Sequence, residues 1–259
     1  MCLPRFAVLG LVAALPLAAF AAPEEQAAGY RQLEAQAFDA ALKDKDTARA
    51  ETLFAQAVEA ATRTAGPAHP DTGRLLALHA LLLEQQNRPA AAEPLYQRAI
   101  TILEAPVLAL PADLATALEL YAAFQSTQGR TAESEQLRER ARPIRARLVR
   151  EMASRGEAAA SAVPAQPISK AMSAPVVLFK MEPAYSDPGR LAKLQGGVLL
   201  KVEIGTDGNV RVVELLRSLG LGLDEQAATA ILRWKFKPGT VDGKPVPVKA
   251  NIEVNFRLL

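Results

Sequence analysis

The stretch LDEQAATAILRWKFKPG, residues 223–239, decides how the C-terminal third of the chain is read. Asp224 and Glu225 suit a helix start, where unpaired N–H groups attract carboxylates. Ala227, Ala230, Ile231 and Trp234 then recur at i, i+3, i+4 and i+7, which predicts one helix over 223–234 with a single apolar stripe. Pro238-Gly239 stops it. The chain's only tryptophan sits among Arg233, Lys235 and Lys237, with Phe236 between the lysines. Aromatics interleaved with cations can mark a nucleic-acid surface. The stripe instead turns Trp234 toward the face of Ala227 and Ile231. Trp234 and Phe236 then anchor a core, while the three cations point outward and suit the helix C-terminus.

On both sides of this stretch the hydrophobic period is 2. VLLKVEI (198–204) puts Val198, Leu200, Val202 and Ile204 on one face. GTDGN follows, and Asp207-Gly208 predicts a type I′ hairpin turn with φ > 0 at both central positions. VRVVELL (210–216) is the return strand. After the helix and a second turn, VDGKPV, the last segment alternates strictly. Val248, Ala250, Ile252, Val254, Phe256 and Leu258 interleave with Lys249, Asn251, Glu253, Asn255 and Arg257. A three-stranded antiparallel sheet with one helix packed on its apolar face is expected over 173–259.

Upstream, residues 24–152 show helical periodicity and repeat themselves every 42 residues. ETLFAQA (51–57), EPLYQRA (93–99) and EQLRERA (135–141) superpose Glu51, Glu93 and Glu135, then Leu53, Leu95 and Leu137, then Ala57, Ala99 and Ala141. LLALHALLLEQQNR (75–88) lies over the last 14 residues of TALELYAAFQSTQGR (116–130) at the same offset, with Arg88 on Arg130. Asp71 and Asp113 each follow a proline-containing linker and are expected to cap a helix. Self-similarity at a fixed period predicts a solenoid in which each helix pair buries its apolar face on the next. The region resembles the tetratricopeptide repeat, in a variant with a longer loop, here AGPAHPDT (65–72) with His69-Pro70. That resemblance implies about three helix pairs, the first degenerate, so the whole chain is expected to be an α+β multidomain protein. Arg138, Arg140, Arg142, Arg145, Arg147 and Arg150, mixed with Glu133, Glu135 and Glu139, are expected to form a solvated face. Residues 153–172, rich in Ala, Ser and Pro, read as a linker.

Arg5, a short apolar run and the Ala19-Phe20-Ala21 signal describe a signal peptide over 1–21, with cleavage after Ala21 and export. Cys2 is the only cysteine, so disulfides and thiolate metal sites within one chain are excluded. A formal net charge of +2 over 259 residues argues against a polyanion partner, and no nucleic-acid partner is expected. His69 and His79 are the only histidines, and no paired carboxylates, nucleophile elbow or phosphate loop is visible. Neither catalysis nor a metal or cofactor is expected. His79 reads as a packed or groove-lining residue.

The order PAYSDPGRLAKLQGGVLLKVEIGTDGNV, LDEQAATAILRWKFKP, GKPV and VNFRL resembles the TonB C-terminal domain. The marks are Tyr185 before a short helix, Gly197 entering the first strand, the Asp207-Gly208 turn, and Arg233, Trp234, Phe236 and Pro238. In one departure, Ser-Asp separates Tyr185 from Pro188 where the family places a Tyr-Pro pair. The resemblance implies capture of an extended receptor segment, the TonB box, as an added strand on the last strand, here 247–258. Lys249, Asn251, Glu253, Asn255 and Arg257 are the partner-binding candidates along that edge. Expected partners are proteins or peptides, including TonB-dependent outer-membrane receptors, and the same strand can pair two copies into a homodimer. The family's anchor carries a Ser and a His that residues 6–22 lack. A cleaved chain therefore implies a periplasmic adaptor. An uncleaved one implies an energy transducer in contact with an inner-membrane motor.

Overall fold

The computed structural model describes residues 23–105, 110–155, 165–167 and 172–258. The expected signal peptide lies outside these residues, as do 156–164 and 168–171 of the expected linker.

Six helices form three antiparallel hairpins: α1 (Pro23–Leu42) with α2 (Thr47–Thr64), α3 (Pro70–Gln85) with α4 (Pro89–Leu103), and α5 (Pro111–Thr127) with α6 (Thr131–Arg155). Small residues at the seams let the backbones approach closely. Ala50, Ala57, Ala61, Ala92 and Ala99 are fully buried, and leucines and aromatics fill the space between pairs. Phe38 meets Phe54 edge-on at 5.3 Å, and Tyr96 stacks on Tyr121 at 5.6 Å. The period also appears in the backbone. Lys45, Asn87 and Gly129 stand 42 residues apart, and each takes positive φ (56°, 59° and 77°) in the turn that closes its hairpin. The degenerate first pair therefore has the same turn as the other two.

Two expectations for this region are corrected. His69, not Asp71, caps α3: its Nδ1 accepts the Asp71 N–H at 3.2 Å. The Asp71 carboxylate instead accepts the Tyr30 hydroxyl at 2.6 Å and pairs with Arg74. Asp113 sits in the first turn of α5, whose cap position is Leu110. Second, the arginine run is not uniformly solvated. Arg145 is only 1 % exposed, because α6 continues past the array and lends Val149 and Ala153 to the second core.

That second core belongs to β1 (Gln166–Pro167), β2 (Val176–Phe179), α7 (Asp187–Leu191), β3 (Gly196–Ile204), β4 (Val210–Arg217), α8 (Leu223–Ile231), β5 (Lys235–Lys237), β6 (Gly239–Val241), β7 (Lys244–Val246) and β8 (Val248–Phe256). The main sheet has the order β1-β8-β3-β4. Its three long strands are antiparallel as expected, and the two-residue β1 adds a parallel strand. Val198, Leu200, Val202, Ile204, Val254 and Phe256 share the buried face with Ala227 and Ile231 of α8.

The opening stretch is half corrected. α8 ends at Ile231, not at Trp234. The Trp234 N–H bonds the Ile231 carbonyl in a tightened last turn, and β5 then pairs antiparallel with β2. Trp234 and Phe236 are buried as expected, but Phe236 arrives there as the inward residue of an alternating Lys-Phe-Lys strand. The turns are also exchanged. Between β3 and β4 only Gly208 has positive φ (77°), so Asp207-Gly208 is not a type I′ turn. The Asp207 carboxylate accepts the Asn209 N–H inside a five-residue loop. The two-residue loop with both φ positive lies at Asp242-Gly243 (49° and 75°), between β6 and β7.

Candidate functional site

β8 is the long strand nearest the edge of the main sheet. Its inner side pairs with β3 from Ile204↔Val248 to Gly196↔Phe256. Its outer side carries β1 only at Val248 and Lys249. Among the described residues none pairs with the outer edge of 250–256. In an antiparallel pair, alternate residues turn both N–H and C=O away from the partner strand, so this segment presents a row of donors and acceptors. β1 ends at Pro167, which has no N–H to donate.

All five candidate side chains, Lys249, Asn251, Glu253, Asn255 and Arg257, are exposed, and the alternation puts the four within β8 on the face opposite α8. They are not equivalent. Glu253 is ion-paired with Arg217 of β4 across the intervening strand. Lys249 stands opposite Glu203, which is nearly buried and bonds Arg211 at 2.9 Å. Asn251 stands opposite Lys201, which bonds Glu214 at 3.2 Å. The wet face is thus laced by cross-strand ion pairs, a pattern hidden in the sequence until the register was known.

Of the residues that carry the resemblance, Tyr185 and Gly197 lie against β8, while Gly208, Trp234 and Phe236 fix the neighbouring β5. The Tyr185 hydroxyl donates to the Leu194 carbonyl at 2.7 Å, and its ring packs edge-on against Phe256 at 5.4 Å. At Gly197 any Cβ would crowd the Glu253 and Asn255 side chains. Gly208 accepts the Phe236 N–H at 3.0 Å, and a Cβ there would strike the Phe236 carbonyl. Trp234 Nε1 donates to the Met181 carbonyl at 2.9 Å, and Lys180 Nζ lies 5.5 Å from the ring centroid. Arg233, Lys235 and Lys237 point outward. Pro238 follows β5 directly.

His79 Nε2 and Glu51 Oε1 share a hydrogen bond at 3.0 Å, within the array, while His69 serves as a cap. Among the described residues no group of three or more His, Cys, Asp or Glu is arranged to hold a metal ion. No helix among them is long and apolar enough to cross a membrane.

Each part of the chain matches a known family. Residues 181–258 match the family described as the Gram-negative bacterial TonB protein C-terminal, and residues 35–105 match the tetratricopeptide repeat. Protein TonB of Vibrio cholerae is 33% identical over 106 residues, covering 40% of this chain and 43% of that protein. Protein TonB of Xanthomonas campestris is 35% identical over 77 residues, covering 29% of this chain and 34% of that protein. The chain therefore spans less than half the length of either relative. It carries a TonB C-terminal domain preceded by a tetratricopeptide-repeat region.

Proposed function

We propose that this is a binding protein rather than an enzyme, and that its C-terminal domain captures an extended segment of a partner protein along the outer edge of β8. The open backbone of residues 250–256 carries this reading. An added strand gains main-chain hydrogen bonds there, and Asn251 and Asn255 beside the edge select its side chains. The TonB C-terminal match favours the TonB box of an outer-membrane receptor as the occupant. The repeat region makes the chain an adaptor, working in the periplasm after removal of residues 1–21.

Titration of the full chain with a fluorescent peptide from the periplasmic segment of such a receptor tests this. Saturable binding is expected. Asn251→Ala and Asn255→Ala should each weaken it by about 0.5–1.5 kcal/mol, or roughly two- to tenfold. Absence of saturable binding rejects the proposal.

A second reading, energy transduction, is favoured by the TonB name of the relatives and requires residues 1–21 to remain as an anchor. The mass of the mature N-terminus separates the two. A start at Ala22 supports the adaptor, and Met1 retained in the membrane fraction supports the transducer.

A further inference from the structure

The first helices of the three hairpins, α1, α3 and α5, face the C-terminal domain. Two clefts mark the seam. One of about 380 Å³ lies between Glu34, Arg74 and Thr116 on the array side and Tyr185, Asp187 and Gln226 on the other. A larger one, about 600 Å³, separates Leu81, Gln85 and Leu120 from Leu194, Leu219 and Leu221. Between them the two sides touch directly. Leu191 and Leu221 of the C-terminal domain are 3 % and 5 % exposed and belong to the apolar core of the array. Gln85 Nε2 donates to the Leu191 carbonyl at 2.8 Å.

Polar contacts lock the same seam. Arg145 on α6 donates from Nε and Nη2 to the two Glu119 oxygens, at 2.9 and 2.7 Å. Its Nη2 also bonds Thr116 at 2.9 Å, and its Nη1 reaches across to Glu225 of α8 at 2.9 Å. Glu119 in turn accepts the Leu221 N–H at 2.6 Å. The loop bends sharply to deliver that N–H: Gly220, Leu221 and Gly222 all have positive φ (90°, 51° and 80°). A Cβ at Gly220 would come within 2.9 Å of the Glu119 carboxyl carbon. A left-handed leucine is strained, and such strain persists where surrounding contacts over-determine it.

We propose that this inner face of the repeat array is a peptide-docking groove occupied in cis by the chain's own C-terminal domain. Leu191 and Leu221 are its plugs and Arg145 its clasp. An outside segment enters only by displacing them, and it must offer what Leu221 and Glu225 offer: a leucine with a carboxylate four residues later. The inference is independent of strand addition, since β8 takes no part in the seam.

The test uses the full chain with Cys2→Ser and spin labels at Glu59→Cys on α2 and Lys244→Cys on β7. One narrow distance distribution is expected. It should broaden in Leu221→Asp and in Glu225→Gln, the second of which leaves every apolar contact in place and serves if the first fails to fold. A synthetic SLGLGLDEQAATA peptide (residues 218–230) should then bind the opened Leu221→Asp chain, or the Glu225→Gln chain in its stead, at least tenfold more tightly than the parent. A broad distribution in the parent, unchanged distances in the folded variants, or peptide binding equal in both chains overturns the proposal.

Discussion

Asp224 shows how one residue couples local structure to the seam. Its carboxylate accepts the Leu219 N–H at 2.8 Å and holds the loop that presents Leu221. Burial raises its pKa from 3.8 to about 6, although hydrogen bonds from Ser218 and Leu219 work to lower it. The unfolded chain has the ordinary value, so the folded state binds this proton more tightly. Asp224 therefore opposes folding above about pH 6, and the opposition fades as pH falls through 6 toward 3.8. The effect is on the order of 2–3 kcal/mol. Denaturant melts of parent and Asp224→Asn at about pH 7.5 and about pH 4.5 should show the parent gaining on the variant at the lower pH. Lys45 is simpler. It occupies a left-handed position where its repeat equivalents are Asn87 and Gly129, so Lys45→Gly should stabilise the chain by about 0.5–1 kcal/mol.

At the scale of elements, period and order were legible, but the junctions between elements were not. The alternations in 198–204 and 248–258 predicted β3 and β8, with Val198, Leu200, Val254 and Phe256 inward, as found. The stripe of α8 misled at its end, because helix and strand periods both place Trp234 inward. Only the alternation of Lys235, Phe236 and Lys237 marked the change. Two Asp-Gly pairs competed for one turn type, and loop length decided. Five residues separate β3 from β4, whereas two separate β6 from β7, where type I′ geometry fits. Gly208 is required for a different reason, its contact with the Phe236 backbone. Gly208→Ala should cost more than about 2 kcal/mol in chemical denaturation, from the strained φ and the lost approach of β5.

At the scale of the molecule, the sequence suggested two modules on a linker, and the contact between them was illegible. Arg145 sat in a run of arginines whose other members are exposed, and only its place four residues from Ala141 and from Val149, on the apolar stripe of α6, sets it apart. Its burial depends on Glu119 and Glu225, which lie 26 and 80 residues away. Burial works against its charge, but the two carboxylates outweigh it and hold the guanidinium above its ordinary range. Because α6 serves both cores, helical circular dichroism and Trp234 fluorescence should report one coincident unfolding transition. Arg145→Met strands two carboxylates at the seam. It should lower stability by about 3–5 kcal/mol and separate the two signals.

The candidate edge was legible as a strand, while the cross-strand pairs that leave Asn251 and Asn255 beside it depended on register. Amide hydrogen exchange of the full chain, with and without an extended receptor-derived peptide, tests strand addition most directly. Slowed exchange confined to alternate amides within 250–256 is the predicted result. Unchanged exchange along β8 while the peptide is bound elsewhere would contradict it.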